Sequence, residues 1–350
     1  MNTPQERPFV DVRNLRITFT GGKKPVEAVN GVDLQVKRGE VVALIGESGS
    51  GKSVTLRSLL RLHPPGRSRI EGAMRVGDQD VLALGTQALA DYRGKVASMI
   101  FQEPLLALDP VYSVGAQITE AIRRHENVSA AQAQQRALEL FERVRIPSPE
   151  RRLQAYPHEM SGGMRQRAMI AMALASNPKL LLADEPTTAL DVSLRGQILD
   201  LLADLQRQHG MAVLLITHDL NLVRRFADRV AVMERGHLVE QGGVSEVFAA
   251  PQHAYTRMLL ASKPARDVVE APATAAEPVL QARGLRVSYP VPLPGLRGWF
   301  NKGEFVAVQG ADLDIPPGRT LGVIGESGSG KSTLALAALG LLPHQGSLQV

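Results

Sequence analysis

The sequence predicts an α/β fold in which helices cover a mainly parallel β-sheet. Two observations support this prediction. Short, continuous apolar runs occur at Val41–Ile45 and at residues 179–183 and 211–216, and such runs are typical of strands buried on both faces of a parallel sheet. Segments with helical spacing follow or separate these runs, and strands that alternate with helices favour a parallel arrangement.

The first elements can be justified in chain order. Gly46 closes the run Val41–Ile45 and a helical pattern follows, which predicts a strand, a loop and a helix. Further along, Ser129 and Gln132 form a capping-box pattern ahead of an apolar helical face. A helix is therefore expected to begin there.

Two elements flank the last apolar run. Apolar residues at helical spacing predict a helix that ends near Gly210, and they are Ile198, Leu201, Leu202 and Leu205. Residues 229–241 are expected to form a hairpin that turns at residues 234–236.

Composition excludes several classes of function. The 350-residue chain has no cysteine, so disulfides, thiolate catalysis and cysteine-ligated metals are excluded. Aromatic residues make up only 4%, which argues against a surface that stacks nucleic-acid bases. The formal net charge of +5 suits an anionic ligand or an acidic membrane surface. No secretory signal and no membrane span are expected, because the apolar runs are far shorter than the roughly 20 residues a span needs.

An internal repeat divides the chain. The eight residues GESGSGKS occur at 46–53 and again at 325–332, and the flanking segments match as well. We predict a first domain at 1–261, a Pro- and Ala-rich linker at 262–278, and the N-terminal part of a second domain at 279–350. The second copy includes a predicted strand at 320–324 but none of its sheet neighbours, so we expect this part to fold weakly.

The repeated motif fits the phosphate-binding pattern G-x-x-x-x-G-K-[ST], since it follows a strand and precedes a helix. Glycines let backbone amides approach phosphates, and the helix N-terminus favours anions. The lysine is expected to bind the β- and γ-phosphates of a nucleotide and the last serine to ligate Mg²⁺. The residues of the first copy are Gly46, Glu47, Ser48, Gly49, Ser50, Gly51, Lys52 and Ser53. Those of the second are Gly325, Glu326, Ser327, Gly328, Ser329, Gly330, Lys331 and Ser332.

Acidic residues and a histidine follow two of the apolar runs. Asp184 and Glu185 end one run, where ligands bind in α/β sheets. Asp184 is suited to hold Mg²⁺ and Glu185 to act as general base on the attacking water. An isolated strand-end histidine is usually structural, but the strand before His218 should neighbour the Asp184 strand. His218 is therefore a candidate for the same site.

A second glycine-rich helix start lies between these motifs. Ser161, Gly162 and Gly163 precede a long helical pattern and form a potential phosphate-binding terminus. Such a segment more often marks only a turn and a cap. Its value lies in the ordered series of phosphate loop, Gln102, Ser-Gly-Gly, Asp-Glu and His.

That series resembles the ABC ATPase family. The matching segments, which lie within residues 10–245, are GESGSGKS, FQEP (101–104), SGGMRQR (161–167), LLLADEPTTALD (180–191) and ITHD (216–219). The resemblance implies a P-loop NTPase cassette with an antiparallel β subdomain and a helical subdomain, ATP and Mg²⁺ as ligands, and ATP hydrolysis.

Residue roles follow from the same resemblance. Gln102 resembles the loop glutamine that touches Mg²⁺ and the permease, and Glu185 the catalytic glutamate. Asp191 resembles the dimer-interface aspartate and His218 the switch histidine, while residues 161–163 resemble the signature that completes the site of a partner cassette. Two further residues, Phe19 and Tyr289, fall where the family places an aromatic against adenine, although a core aromatic is an equally good interpretation of each.

Longer segments are similar to importers of dipeptides, oligopeptides, glutathione or nickel, including the tail PQHAYTRMLLASKP, which departs from them at Ala254. This likeness implies the fused two-cassette type. It also implies two transmembrane permease subunits, a periplasmic or surface solute-binding protein, and a peripheral position at the cytoplasmic face of the inner membrane. The partner cassette would lie in cis or in a homodimer, and no nucleic acid is expected.

Two other classes of function fit the sequence less well. A soluble tandem ABC protein acting on ribosomes is disfavoured, because its linker would be long, helical and basic. A nucleotide-binding switch without transport is disfavoured by Gln102 and by the Ser-Gly-Gly segment.

Overall fold

The computed structural model describes residues 7–187, 190, 192–262, 277–292, 302–325 and 328–350. The chain forms two compact units, with the boundary between residues 264 and 265. This boundary falls within the predicted linker, whose residues 263–276 lie outside the described ones.

A six-stranded sheet forms the centre of the first unit, in the order β10-β9-β3-β8-β7-β6. Its strands are β3 (Val41–Ile45), β6 (Ala97–Ile100), β7 (Leu180–Asp184), β8 (Ala212–Ile216), β9 (Arg229–Glu234) and β10 (His237–Gly243). All neighbouring pairs are parallel except the hairpin β9–β10. The strands predicted from the three apolar runs of this unit are confirmed to within one residue. Every residue of β3, β7 and β8 is buried, which explains their uninterrupted apolar character.

A separate antiparallel sheet with the order β2-β1-β4-β5 lies in the N-terminal part of this unit. Its strands are β1 (Val10–Phe19), β2 (Val26–Val36), β4 (Ser68–Val76) and β5 (Gln79–Asp80). Side chains alternate between buried and exposed along much of β1 and β2, as expected for a sheet with one face on the core. The buried face joins residues of the six-stranded sheet in one hydrophobic cluster.

Helices pack against the central sheet, and some of them also pack against one another. They are α1 (Lys52–Ser58), α2 (Thr86–Lys95), α3 (Pro104–Ala107), α4 (Val114–His125), α5 (Ala130–Arg143), α6 (Pro149–Leu153), α7 (Gly162–Leu174), α8 (Val192–His209), α9 (Leu220–Phe226), α10 (Val244–Ala249) and α11 (Ala254–Ala261). The predicted capping box is present, because Ser129 accepts from the Gln132 amide and Gln132 reaches back to the Ser129 amide. The helix expected to end near Gly210 ends at His209.

The second unit is smaller. It contains a three-stranded antiparallel sheet of β11 (Leu280–Pro292), β12 (Lys302–Ile315) and β13 (Gln345–Gln349), together with α12 (Lys331–Ala338). The prediction of a strand at 320–324 is wrong, since these residues adopt no regular structure. The matching strand β3 is paired on both sides, whereas the described part of the second unit offers 320–324 no parallel neighbour. The described residues of this unit therefore form only a sheet and one helix, not a second cassette fold.

Among the helices of the described residues, none is long and apolar enough to cross a membrane.

Candidate nucleotide-binding site

The loop between β3 and α1 has a backbone that only glycine adopts readily. Gly46 and Gly51 have φ angles of 146° and 100°. A Cβ atom on Gly51 would lie 2.6 Å from the Ala28 carbonyl oxygen, so a side chain at this position would collide with β2. The loop therefore packs tightly against the antiparallel sheet, which leaves room only for glycine at position 51.

Lys52 begins α1 and folds back over this loop. Its Nζ donates hydrogen bonds to the carbonyl oxygens of Gly46 (2.9 Å) and Glu47 (2.7 Å) and to the Ser50 hydroxyl (3.3 Å). The side chain is only 7% exposed, and this burial lowers the pKa of Lys52 although the Glu185 and Asp184 charges oppose the change. The ammonium group lies at the centre of the loop, within reach of any anion that the loop holds.

Ser53 connects the loop to the end of β7. Its hydroxyl donates to Asp184 Oδ1 at 2.8 Å, and Arg57, one turn further along α1, lies with Nη2 3.4 Å from Asp184 Oδ2. Asp184 is completely buried. Burying a carboxylate without polar partners would be very costly, and these two contacts offset part of that cost.

Glu185 is the next residue and has a strained backbone. Its φ is 47°, in the left-handed region that side chains with a Cβ rarely adopt. The Glu185 amide donates to the Ile216 carbonyl of β8 at 3.0 Å, which holds the turn in place. Strain of this kind, supported by neighbouring structure, is frequent at functional sites.

Two polar side chains approach the Glu185 carboxylate. Gln102 Nε2 donates to Glu185 Oε2 at 3.2 Å, and His218 Nδ1 lies 3.7 Å from the same oxygen. The topology explains this meeting. Gln102, Glu185 and His218 follow the carboxyl ends of β6, β7 and β8, and these three adjacent strands are parallel. The structure thus brings together candidate residues from three distant segments of the sequence.

Ser161 caps the helix α7, as predicted from the sequence. Its hydroxyl accepts from the Met164 amide at 3.3 Å, while Gly163 is buried so closely against Leu194 that a Cβ would lie 3.0 Å from it. Ser161 and Gly162 are exposed. Among the described residues, no hydrogen bond joins this segment to the loop at 46–53, so it is not part of the same cluster within the chain.

The remaining candidates are placed as follows. Phe19 is partly buried, with its ring edge-on to His63 at a centroid distance of 5.4 Å, and Tyr289 is exposed. Asp191, Glu326 and Ser327 lie outside the described residues.

The second loop repeats the geometry of the first where it is described. Lys331 Nζ donates to the Gly325 carbonyl at 2.8 Å and approaches the Ser329 hydroxyl at 3.4 Å. Gly330 has a φ of 91°, and a Cβ there would lie 2.3 Å from the Ala307 carbonyl. Gly328 also has a positive φ, and Ser332 is exposed on α12. The local sequence therefore sets the loop shape in both copies.

Two contacts of the site were not predicted. Arg57 lies four residues after Ser53 on one face of α1, a spacing that could have suggested its position beside Asp184. The Glu47 amide donates to the Tyr255 hydroxyl at 2.8 Å, a contact between residues 208 positions apart for which the sequence carries no local signal.

The oxygen atoms at this site fit Mg²⁺. The Ser53 hydroxyl, the Asp184 carboxylate and the carboxylate and amide of Glu185 and Gln102 are hard oxygen donors of the kind Mg²⁺ prefers. Across the described residues, this site included, no group of three or more His, Cys, Asp or Glu is arranged to hold a metal ion by itself.

Comparison with known proteins places this geometry in a family. The family model described as "ABC transporter" matches residues 29–188 and 308–350, more than half of the chain. The chain belongs to the ABC transporter family. Its first unit has the P-loop cassette fold of that family, with a mixed sheet and an antiparallel subdomain.

Two similar proteins support the family assignment. This ABC family chain is 48% identical over 350 residues to the peptidoglycan transport ATP-binding protein YejF of Agrobacterium fabrum, covering 99% of this chain and 63% of that protein. It is 43% identical over 366 residues to the glutathione import ATP-binding protein GsiA of Escherichia coli O157:H7, covering 96% and 58% respectively. The chain thus spans about three fifths of the length of these relatives.

The structure resembles the ATP-binding cassette MJ0796, solved as a dimer bound to ADP and phosphate, with a TM-score of 0.60 and 30% identity over 67% of this chain and 98% of that one. It also resembles cbiO1 of Clostridium perfringens, with a TM-score of 0.58 and 27% identity over 70% of this chain and 92% of that one. These matches support the assignment of the first unit to a single cassette.

Proposed function

We propose that the chain binds Mg-ATP at residues 46–53 and hydrolyses it to energise import of peptides or related small solutes. The observation that carries the proposal is the convergence of Gln102 and His218 on the Glu185 carboxylate, at the sheet edge where Ser53 meets Asp184. A loop that only bound phosphates would not need a strained carboxylate with two polar partners.

The residues divide the reaction between them. The backbone amides of the loop and Lys52 hold the phosphates. Glu185 takes the proton of the attacking water as general base, and Gln102 and His218 orient its carboxylate. The left-handed backbone of Glu185 and the bond from its amide to the Ile216 carbonyl fix the point from which this side chain extends, so the fold positions the base.

Mg²⁺ would be held by Ser53, Asp184 and Gln102, and when bound it neutralises charge on the phosphate oxygens. Arg57 and the Ser53 hydroxyl hold the Asp184 carboxylate in place at the end of β7. Ser53 and Arg57 already lie within hydrogen-bonding distance of the Asp184 carboxylate.

Pairing of cassettes follows from the position of the signature segment. Ser161, Gly162 and Gly163 belong to a separate surface, so we propose that they complete the site of another cassette. The partner is a second cassette in the same polypeptide, as in the fused type, or another copy of the chain. Dimeric MJ0796 supports pairing, and the second phosphate loop at 325–332 supports the fused alternative.

Import also requires partners. We propose two transmembrane permease subunits and a solute-binding protein, with this chain at the cytoplasmic face of the inner membrane. The names of the relatives, which include peptidoglycan transport and glutathione import, support a peptide-class solute.

Titration of the purified chain with a fluorescent ATP analogue and assay of phosphate release in Mg²⁺ test the proposal. We expect saturable binding and slow turnover that rises more than in proportion to protein concentration, because paired cassettes form the active site. Uptake of a labelled peptide into vesicles that contain the chain and its permease tests the transport step. Absence of saturable ATP binding would contradict the proposal at its first step.

A further inference from the structure

The end of the first unit touches the phosphate loop through one hydrogen bond. The backbone N–H of Glu47 donates to the hydroxyl oxygen of Tyr255, in α11, at 2.8 Å. The two residues are 208 positions apart in the chain, and Glu47 is the second residue of the loop. A residue outside every motif of the site therefore fixes one of its peptide groups.

Tyr255 is held firmly enough to serve as an anchor. It is only 6% exposed and packs in a cluster with Ala43 and Ile45 of β3, the strand that leads into the loop. The start of the tail is tied down as well, because the Glu240 carboxylate accepts from the amides of Gln252 (2.7 Å) and His253 (2.9 Å). The tyrosine ring thus has a fixed position relative to the sheet.

The peptide group that joins Gly46 to Glu47 is held from both sides. Tyr255 accepts a hydrogen bond from its N–H, while Lys52 Nζ donates to its carbonyl oxygen, that of Gly46, at 2.9 Å. When Lys52 turns towards a phosphate, that second bond is given up. The tyrosine hydroxyl then remains as a partner that keeps the peptide in its orientation.

We propose that Tyr255 is a positioning residue for the phosphate loop, and that it holds residues 46–53 in the shape that binds nucleotide. The inference rests on the proposed function, in which this loop binds ATP. It assigns to the tail α10–α11 a role in the nucleotide site, in addition to closing the fold.

The expected loss of ATP affinity depends on how many molecules keep the loop in its binding shape when the Tyr255 hydroxyl is removed. An amide that loses its acceptor turns towards water or another acceptor, and the loop spends part of its time in shapes that do not fit phosphates. The apparent affinity for ATP is the intrinsic affinity multiplied by the fraction of molecules whose loop keeps the binding shape. If that fraction drops to between a third and a tenth, the Kd for ATP rises about three- to tenfold.

The test compares two phenylalanine substitutions in the full chain. Tyr255→Phe removes the hydroxyl and keeps the packing. The matched control is Tyr92→Phe, because the Tyr92 hydroxyl also makes a 2.8 Å bond to backbone, to the Leu59 carbonyl at the other end of α1, and Tyr92 is 1% exposed. Both variants should lose a similar amount of thermal stability.

The two variants should differ in nucleotide binding. In Tyr255→Phe the Kd and KM for Mg-ATP should rise about three- to tenfold with little change in kcat at saturating ATP, and in Tyr92→Phe all three should stay at wild-type values. Equal affinities in the two variants would overturn the inference while leaving ATP binding by the wild type intact. A wild-type chain without ATP binding would instead overturn the proposed function, and this inference with it.

Amide hydrogen exchange of the wild-type chain gives a second measurement that needs no variant. We expect the Glu47 amide to exchange more slowly than the neighbouring amides of Ser48 and Gly49, because its bond to Tyr255 must open first. Exchange of all three at one rate would contradict the proposed anchor even if Tyr255→Phe failed to fold.

Discussion

The Ser53 hydroxyl donates a 2.8 Å hydrogen bond to the Asp184 carboxylate, which joins the first turn of α1 to the end of β7 across 131 residues. Arg57 reaches the other carboxylate oxygen from the same helix. The oxygen atoms proposed to bind Mg²⁺ are thus positioned by the central sheet and not by a mobile loop.

Substitution of Asp184 by Asn should weaken the use of Mg²⁺. The amide can still accept from Ser53, but it loses the negative charge and the ion pair with Arg57. The Mg²⁺ concentration that gives half-maximal turnover should rise about 10- to 100-fold, the range seen when metal-supporting groups are changed. Asp200→Asn is the control, because Asp200 forms an exposed pair with Arg225 on the surface. A Mg²⁺ dependence shared by the two variants would contradict the role of Asp184.

Glu185→Gln and Lys52→Ala should separate hydrolysis from binding. Glutamine keeps the shape of the side chain and can accept from Gln102, yet it is no base, so turnover should fall about 10²- to 10⁴-fold with near-normal ATP affinity. Lys52→Ala should instead lose affinity, because the ammonium group is removed from the centre of the loop. Nucleotide titration of both variants checks this division, and an equal loss of binding would refute it.

Elemental analysis of the purified protein should find no stoichiometric zinc or iron. The chain has no cysteine, and its histidines have no spacing typical of transition-metal sites. Turnover should therefore survive brief treatment with a zinc-selective chelator when Mg²⁺ is present. Stoichiometric zinc or iron after gel filtration would be inconsistent with this expectation.

Limited proteolysis should cut first within residues 262–278 and leave a resistant N-terminal piece. The first unit has extensive hydrophobic clusters, whereas the fully buried cluster of the second consists of Ala282, Leu285, Val287, Val308 and Ala337. In addition, Ile324 is 94% exposed. Mass spectrometry of the early fragments is the measurement. Equal resistance of the region after Pro278 would show that the second unit is as firmly folded as the first.

Sequence patterns predicted those features of the site that depend on local chemistry. The apolar runs located β3, β7 and β8, and parallel topology then required Glu185 and His218 to share an edge. Features that depend on three-dimensional packing were not predictable in this way. The bond from Glu47 to Tyr255 exists only because α11 returns to β3, and nothing in either segment signals it.

The strand expected at 320–324 is the reverse case, in which the sequence pattern predicted an element that the structure does not contain. Its sequence closely matches the pattern of β3, so its local propensity does favour a strand. A parallel strand nevertheless forms only when adjacent strands pair with it, and the described part of the second unit contains no parallel partner for residues 320–324. Pattern alone could not decide between a strand and an irregular segment, because the deciding residues lie elsewhere in a sheet.

Because of the Glu185 backbone conformation, substitutions at position 185 should affect folding and turnover in different orders of severity. Since φ is 47°, folding should favour Gly and Asn and should disfavour Val, Ile and Thr, whose branched Cβ atoms resist this conformation. Turnover should follow the basicity of the side chain and tolerate almost nothing but Glu. A saturation library scored once for abundance and once for activity would therefore rank the same substitutions in two different orders. Glycine would then be abundant and inactive, a combination that a purely structural strand end would not produce.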